Sequence, residues 1–176
     1  MITYSKAFKD EDLKSILELQ QKNLPNYLSS EERLKEGFVT VQHSFKILKK
    51  MNDEFPHTIA KHNHKVIGFA LSMTKNFASE IAVLKPMFKE ISNANITEKY
   101  IVMGQICIDK DYRGKGVFRS LYNFMKDSCK DAYSIIITEI DVHNTRSLNA
   151  HKSIGFEKMI DYTVGNKNWR IVTLKT

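Results

Sequence analysis

Ile106-Cys107-Ile108-Asp109-Lys110-Asp111-Tyr112-Arg113-Gly114-Lys115-Gly116-Val117 is the stretch that decides how this chain folds. A strand leads into a turn at Asp109-Lys110-Asp111-Tyr112, and the chain becomes helical from Gly114 onward. A helix start leaves several backbone N–H groups unpaired, and its dipole favours negative charge there. Glycine lets the main chain approach a ligand closely. Arg113, Lys115 and Arg119 add cationic side chains. Together these features make a site for a pyrophosphate. The Gly-Lys-Ser/Thr ending of a nucleotide P-loop is missing, and so is the three-glycine spacing of a dinucleotide fold. A Gly-Lys-Gly turn by itself also describes a basic surface loop capping a helix.

Working outward, residues 99–108 read as the strand before the turn. The helix after it carries Val117, Leu121, Phe124, Met125 and Cys129 on one face. Residues 134–142 form the next strand, with the β-branched run Ile135-Ile136-Ile137-Thr138. Residues 144–154 are helical and stop at Gly155, a good C-terminal residue. Residues 156–164 and 169–174 pair as a closing hairpin around Gly165-Asn166-Lys167-Asn168. Strand, helix, strand, helix, strand predicts an α/β (α+β) sheet with a parallel element in its middle.

The N-terminal part is less regular. Residues 2–8 read as a first strand. Asp10-Glu11-Asp12 opens a helix carrying Leu13, Ile16, Leu17 and Gln20, with acid where the dipole favours it. Short helices are expected near 29–36 and through Phe45, Leu48, Lys49 and Met51. Residues 58–61 and 66–73 pair around His62-Asn63-His64-Lys65. Residues 80–92 have a helical pattern that Pro86 interrupts. Tyr4, Phe8, Phe38, Phe45 and Phe55 read as core or pocket lining, since a nucleic-acid stacking platform would interleave aromatics with basic residues on one sheet face.

Length and composition fit one domain spanning 1–176, since 176 residues with 42% hydrophobic and 27% charged side chains can bury a core. No apolar run spans a membrane and no secretory signal opens the chain, so a cytoplasmic location without membrane contact is expected. The formal net charge of +7 favours anionic partners, but no block of like charge singles out nucleic acid. Cys107 and Cys129 lie in apolar stretches without ligand spacing and read as reduced core thiols. His57, His62 and His64 lack Cys or acidic partners at ligand spacing, so no metal site is expected.

A second motif supplies context. Asn144-Thr145-Arg146-Ser147-Leu148-Asn149-Ala150-His151-Lys152-Ser153-Ile154-Gly155-Phe156 resembles the last helix-to-strand segment of the GNAT superfamily of N-acetyltransferases. Arg113-Gly114-Lys115-Gly116 resembles that family's pyrophosphate turn. The two motifs stand in the family's order, separated by a helix and a strand. The clear resemblance covers residues 100–156; the earlier half matches only in its pattern of elements. It implies a mixed, mostly antiparallel twisted sheet of 6–7 strands with a central parallel pair and flanking helices. It implies acetyl-CoA as co-substrate and no metal. Backbone groups of Ile106, Cys107 and Ile108 would meet the pantetheine arm. Amides of Gly114, Lys115, Gly116, Val117, Phe118 and Arg119, beside Arg113, would hold the pyrophosphate. Asn144 and Ser147 would complete the cofactor site.

The chain departs from the family's pattern twice. Phe118 stands where a small residue is usual, so its ring must turn away from the phosphates. His151 stands where a tyrosine often protonates the departing thiolate. A histidine, with an unperturbed pKa of about 6.5, can serve as a general acid. Glu139 matches a carboxylate that takes the amine proton in some relatives, often through water. Gln105 stands where other relatives carry an acid, and glutamine can only orient the acceptor or a water.

The expected reaction is direct attack of a primary amine on acetyl-CoA in a ternary complex. Small molecule, peptide N-terminus and lysine all remain open as acceptors. A binding module that holds CoA without catalysis is the alternative. The acceptor segments are expected at about 23–53 and 75–99, and the resemblance leaves a homodimer open.

Overall fold

The computed structural model describes residues 1–24 and 41–176. Its elements are β1 (Ile2–Lys6), α1 (Asp10–Lys22), α2 (Phe45–Glu54), β2 (Thr58–His62), β3 (Lys65–Met73), α3 (Lys85–Asn93), β4 (Tyr100–Ile108), α4 (Val117–Cys129), β5 (Ile135–Asp141), α5 (Thr145–Ser153), β6 (Glu157–Val164) and β7 (Lys167–Lys175). The helix expected near 29–36, and Phe38, lie outside the described residues. The strands form one seven-stranded sheet in the order β1-β2-β3-β4-β5-β7-β6. Every neighbouring pair is antiparallel except β4 and β5. That pair is parallel because α4 carries the chain from the end of β4 back to the start of β5.

The parallel pair is short. Tyr100–Val102 lie against Ile135–Ile137, and the ladder stops there. Beyond Val102 and Ile137 the strands part, leaving a notch at their C-terminal ends. β4 also carries a bulge: Met103 pairs with Ser72 and Gln105 with Leu71, so Gly104 is the extra residue. A bulge re-aims the side chains that follow. It puts Gln105 and Cys107 on the same sheet face as Val102.

Burial on both faces explains the β-branched run. Ile135 and Ile137 belong to the cluster with Leu13, Ile16 and Leu48, under α1 and α2. Ile136 and Ile140 belong to the cluster with Tyr122, Met125 and Phe156, under α4 and α5. A central strand sandwiched by helices loses the alternation of a half-exposed one.

Several expectations need correction. Pro86 does not interrupt a helix; it sits in the first turn of α3, where its missing N–H costs nothing. Short 3₁₀ turns at Lys75–Ala78 and Ala82–Leu84 occupy the stretch before it. Strand β1 ends at Lys6, and Phe8 is 77% exposed rather than in the core. On α4, Tyr122 is fully buried while Phe124 is only half-buried. Tyr122 was missed because a phenol reads as amphipathic until a partner for its hydroxyl is known.

The closing hairpin turns on Gly165-Asn166, with β7 already begun at Lys167. At the β2–β3 turn both Asn63 (φ 49°) and His64 (φ 65°) are left-handed, the type I′ pattern that matches strand twist. Both cysteines are buried free thiols. His57 is a core residue. Its Nδ1 accepts from the Ser72 N–H at 3.0 Å and its Nε2 donates to the Leu48 carbonyl at 3.1 Å. Burial pushes its pKa down to about 3, so it is neutral. Among the described residues no helix is long and apolar enough to cross a membrane.

Candidate active site

The notch between β4 and β5 opens into a cavity of about 420 Å³. Its floor is Ile106, Cys107 and Ile108 of β4. One wall is the turn and the start of α4: Tyr112, Arg113, Gly114, Gly116, Val117, Phe118 and Arg119. The other is Asn144, Arg146, Ser147 and Ala150, with Ser153 and Ile154 at the end of α5. Two motifs some thirty residues apart in sequence therefore face each other across one space.

The turn is built by backbone geometry. Gly114 (φ 71°) and Gly116 (φ 78°) are both left-handed, which costs other L-residues roughly 1–2 kcal/mol each. An added Cβ at either would meet nothing within 4 Å, so conformation rather than space demands glycine. Gly116 caps α4 without a side-chain hydrogen bond. The first N–H used by the helix is that of Ser120, bonded to the Gly116 carbonyl at 3.1 Å. Among the described residues nothing accepts from the N–H groups of Val117, Phe118 and Arg119. Three converging donors at the positive end of a thirteen-residue helix suit a diphosphate.

Of the three cationic side chains, Arg113 and Arg119 line the cavity and Lys115 does not. Arg113 turns inward: its Nε donates to the Ile108 carbonyl at 3.1 Å and its NH2 to Asn23 Oδ1 at 2.7 Å. It ties the end of α1 to the end of β4, and it occupies one of the backbone groups expected to meet the pantetheine arm. Arg119 donates to the Ser153 carbonyl at 3.1 Å, joining the two walls. Lys115 lies outside the cavity lining, its Nζ 5.4 Å from the Tyr112 ring centroid. Asn23, Tyr112 and Arg146 line the cavity without having been singled out as site residues in sequence; the last two lie within the motifs, whereas Asn23 is far from both and enters only through folding.

Phe118 keeps its backbone N–H at the cavity. Its ring packs edge-on against Tyr122 and His151, with centroids 5.2 and 5.0 Å away. Asn144 caps α5: its Oδ1 accepts from the Ser147 N–H at 3.0 Å, leaving the Nδ2 amide for a ligand. Cys107 lines the cavity, but burial pushes its thiol up to about 12, which makes it a poor nucleophile.

His151 stands behind the cavity wall, 2% exposed. Its Nδ1 lies 2.8 Å from the Ser147 carbonyl, which can only accept, so Nδ1 carries the proton. Nε2 therefore accepts from the Tyr122 hydroxyl at 2.8 Å. Phe118 and Phe156 close the box at 5.0 Å each. Burial pushes the pKa of His151 down to about 4, so it is neutral near pH 7.

Glu139 lies on the other face of β5, with Ile135 and Ile137. It too is outside the cavity lining. Tyr162 donates a hydrogen bond to its Oε2. Burial pushes its pKa up to about 7, while the Tyr162 hydroxyl pulls the other way. Its ionisation therefore lies where a general base works. On the same face Gln105 is engaged at both ends. Its Oε1 accepts from Gln20 at 2.7 Å and its Nε2 donates to the Val41 carbonyl at 2.9 Å. Gln20 in turn accepts from the His43 N–H at 2.9 Å. Gln105 thus pins α1 and the 41–43 backbone to β4. Among the described residues no cluster of three metal-ligating side chains occurs.

A split parallel pair with an anion cradle at its mouth defines a domain that binds a phosphate-bearing cofactor where two central strands of its sheet part. The chain belongs to the acetyltransferase (GNAT) family, which it matches over residues 13–156. It is an acyltransferase, and acetyl is the group that it transfers. No curated protein matches its sequence. Solved structures do match its fold. The ribosomal-protein-S18-alanine N-acetyltransferase from Escherichia coli is 16% identical, with a TM-score of 0.67 over 99% of this chain and 94% of that one. YncA from Salmonella typhimurium, a putative acetyltransferase solved with its cofactor acetyl-CoA, is 14% identical, with a TM-score of 0.65 over 99% and 93%. An N-acetyltransferase from Staphylococcus aureus Mu50 is 17% identical, with a TM-score of 0.63 over 99% and 98%. At such identities the likeness establishes the fold.

Proposed function

We propose that this acetyltransferase uses acetyl-CoA and acts on a primary amine, by direct attack in a ternary complex. One observation carries the reading. Three N–H groups without a partner among the described residues, at Val117, Phe118 and Arg119, face Asn144 and Ser147 across a cavity that opens where β4 and β5 part. The donors suit the diphosphate of acetyl-CoA, and the notch suits its extended arm. The whole chain acts as one domain, with the cofactor on residues 100–156 and the acceptor on segments about 23–53 and 75–99.

In the reaction the amine nitrogen forms a bond to the acetyl carbonyl carbon, the carbon–sulfur bond breaks, and CoA leaves as a thiolate. Glu139 takes the proton that the amine gives up, directly or through water. Holding both reactants together supplies much of the rate. A β4 backbone N–H near Ile108, past the end of the β5 ladder, polarises the carbonyl. His151 is the candidate donor to the thiolate. Neutral as it stands, it must first take up a second proton, and the imidazolium must then exchange its bond to Ser147 or to Tyr122 for one to the sulfur.

Calorimetry with acetyl-CoA, followed by a thiol-release screen of small amines, peptides with a free N-terminus and lysine peptides, tests the reading. Absence of heat sinks the cofactor. Heat without thiol release from any acceptor leaves a CoA-binding module.

A further inference from the structure

Tyr162 and Glu139 are not on neighbouring strands. The order β5-β7-β6 puts β7 between them, and two strand spacings amount to roughly 9.5 Å. Register brings them together: Glu139 pairs with Ile171 on β7, and Tyr162 pairs with Trp169 two residues earlier. The phenol therefore crosses β7 diagonally to meet the carboxylate. The two-residue turn at Gly165-Asn166 fixes this register, pairing Val164 with Lys167 and running unbroken to Ile160 opposite Ile171. The bulge of β6, at Met159, lies beyond that stretch. As built, Tyr162 packs with Ile160 against the cluster that holds Ile137 and Ile171.

We propose that Tyr162 is a positioning residue for Glu139, its hydroxyl reaching over the intervening strand to hold the carboxylate in place and to set when it ionises. The role in turnover rests on Glu139 being the base. No other hydrogen bond to Glu139 is made by the described residues, and burial acts against the Tyr162 bond on its ionisation. The charged and titratable groups around the pair are few. Gln105 and Cys107 of β4 share its face, the first an amide and the second a neutral thiol. Gln20 of α1 is bonded to Gln105. Ile171 and Trp169 of β7 carry no charge. Glu90 of α3 acts on Tyr162, reinforcing the neutral phenol. The Asp161–Arg170 pair, at 2.7 and 2.9 Å, lies on the reverse face of the hairpin with Lys158.

The test is a carbon-13 titration of the Glu139 carboxyl in the full chain, compared with Tyr162→Phe, which keeps the ring in its cluster. The midpoint, near 7 in the parent, moves up by about one pH unit when the donor is lost. Replacing Tyr162 by 3-fluorotyrosine strengthens the donor and moves the midpoint down. An unchanged midpoint in both variants overturns the proposal. The acidic limb of kcat/KM, read with the amine that the acceptor screen returns, must move with the carboxyl. If the carboxyl midpoint moves and the limb does not, Glu139 is not the base and the positioning role falls with that reading. If Glu139→Gln abolishes the limb while Tyr162→Phe leaves both midpoint and limb in place, Tyr162 falls alone.

Discussion

The two sides of the sheet's notch are built by different means. On the proposed cofactor side, β4, its turn and α4 offer backbone: two left-handed glycines and three N–H groups without partners among the described residues. On the proposed acceptor side, the polar groups are side chains that arrive from separate elements: Glu139 from β5, Tyr162 from β6, Gln20 from α1. A backbone site survives wide change in side chains, which is why Phe118 can replace a small residue and keep its N–H at the cavity. A side-chain site depends on register, bulges and packing, and so differs from one member of a fold to the next. Structures only 14–17% identical share this fold, so the backbone half is the part that a fold can transmit.

The sharpest test of the contrast is Glu139→Gln. It should lower kcat/KM by about a hundredfold or more, the scale of a lost general base. Acetyl-CoA affinity, read by calorimetry, should stay nearly unchanged, because the cradle lies elsewhere. Equal loss of affinity and rate would break the division. The same variant carries a stability signature. A folded pKa of about 7, raised from 4.5 by burial, stabilises the folded state below pH 4.5. That contribution is lost as pH rises from 4.5 through 7. The change is on the order of 3 kcal/mol. Glu139→Gln removes it, so urea unfolding at pH 5 and pH 8 should differ less in the variant than in the parent.

His151→Phe comes next. It leaves the buried Tyr122 hydroxyl without its acceptor, at about 2 kcal/mol in denaturant unfolding. His151→Tyr measures whether a phenol in its place sustains turnover. Full turnover in both variants would confine His151 to packing. On the backbone side, Gly116→Val forces a β-branched residue to φ 78°. It should weaken acetyl-CoA binding by about tenfold with little change in the pH dependence of the rate. The smallest effect separates two roles of Asn144. Asn144→Ser keeps a good N-cap and should preserve the melting temperature. It should lose only a few-fold in acetyl-CoA affinity, through the missing amide. Asn144→Ala should lose both.

Legibility in the sequence followed the same division. The turn from Arg113 to Gly116, and Asn144 with the helix after it, were readable because each is a short contiguous code for a backbone shape. The β-branched run of β5 announced a strand. Pro86 was misread, since a proline at a helix start and one in its interior look alike until the preceding 3₁₀ turns are seen. Arg113 was read as a cofactor residue; the structure adds that its guanidinium bonds Asn23, ninety residues away in sequence. Nothing local encodes that contact.

By itself, then, the amino-acid order determined the strand–turn–helix with its left-handed glycines, the parallel crossover it requires, and the second motif that closes the cavity. These depend on steric preferences and helix-end donors, which act within a few residues. Tertiary structure alone decided which charges reach the cavity, which ring nitrogen of His151 carries its proton, and that Tyr162 meets Glu139 across β7. Those depend on bulges, register and burial, where one residue more or less in a strand reverses the face that a side chain occupies.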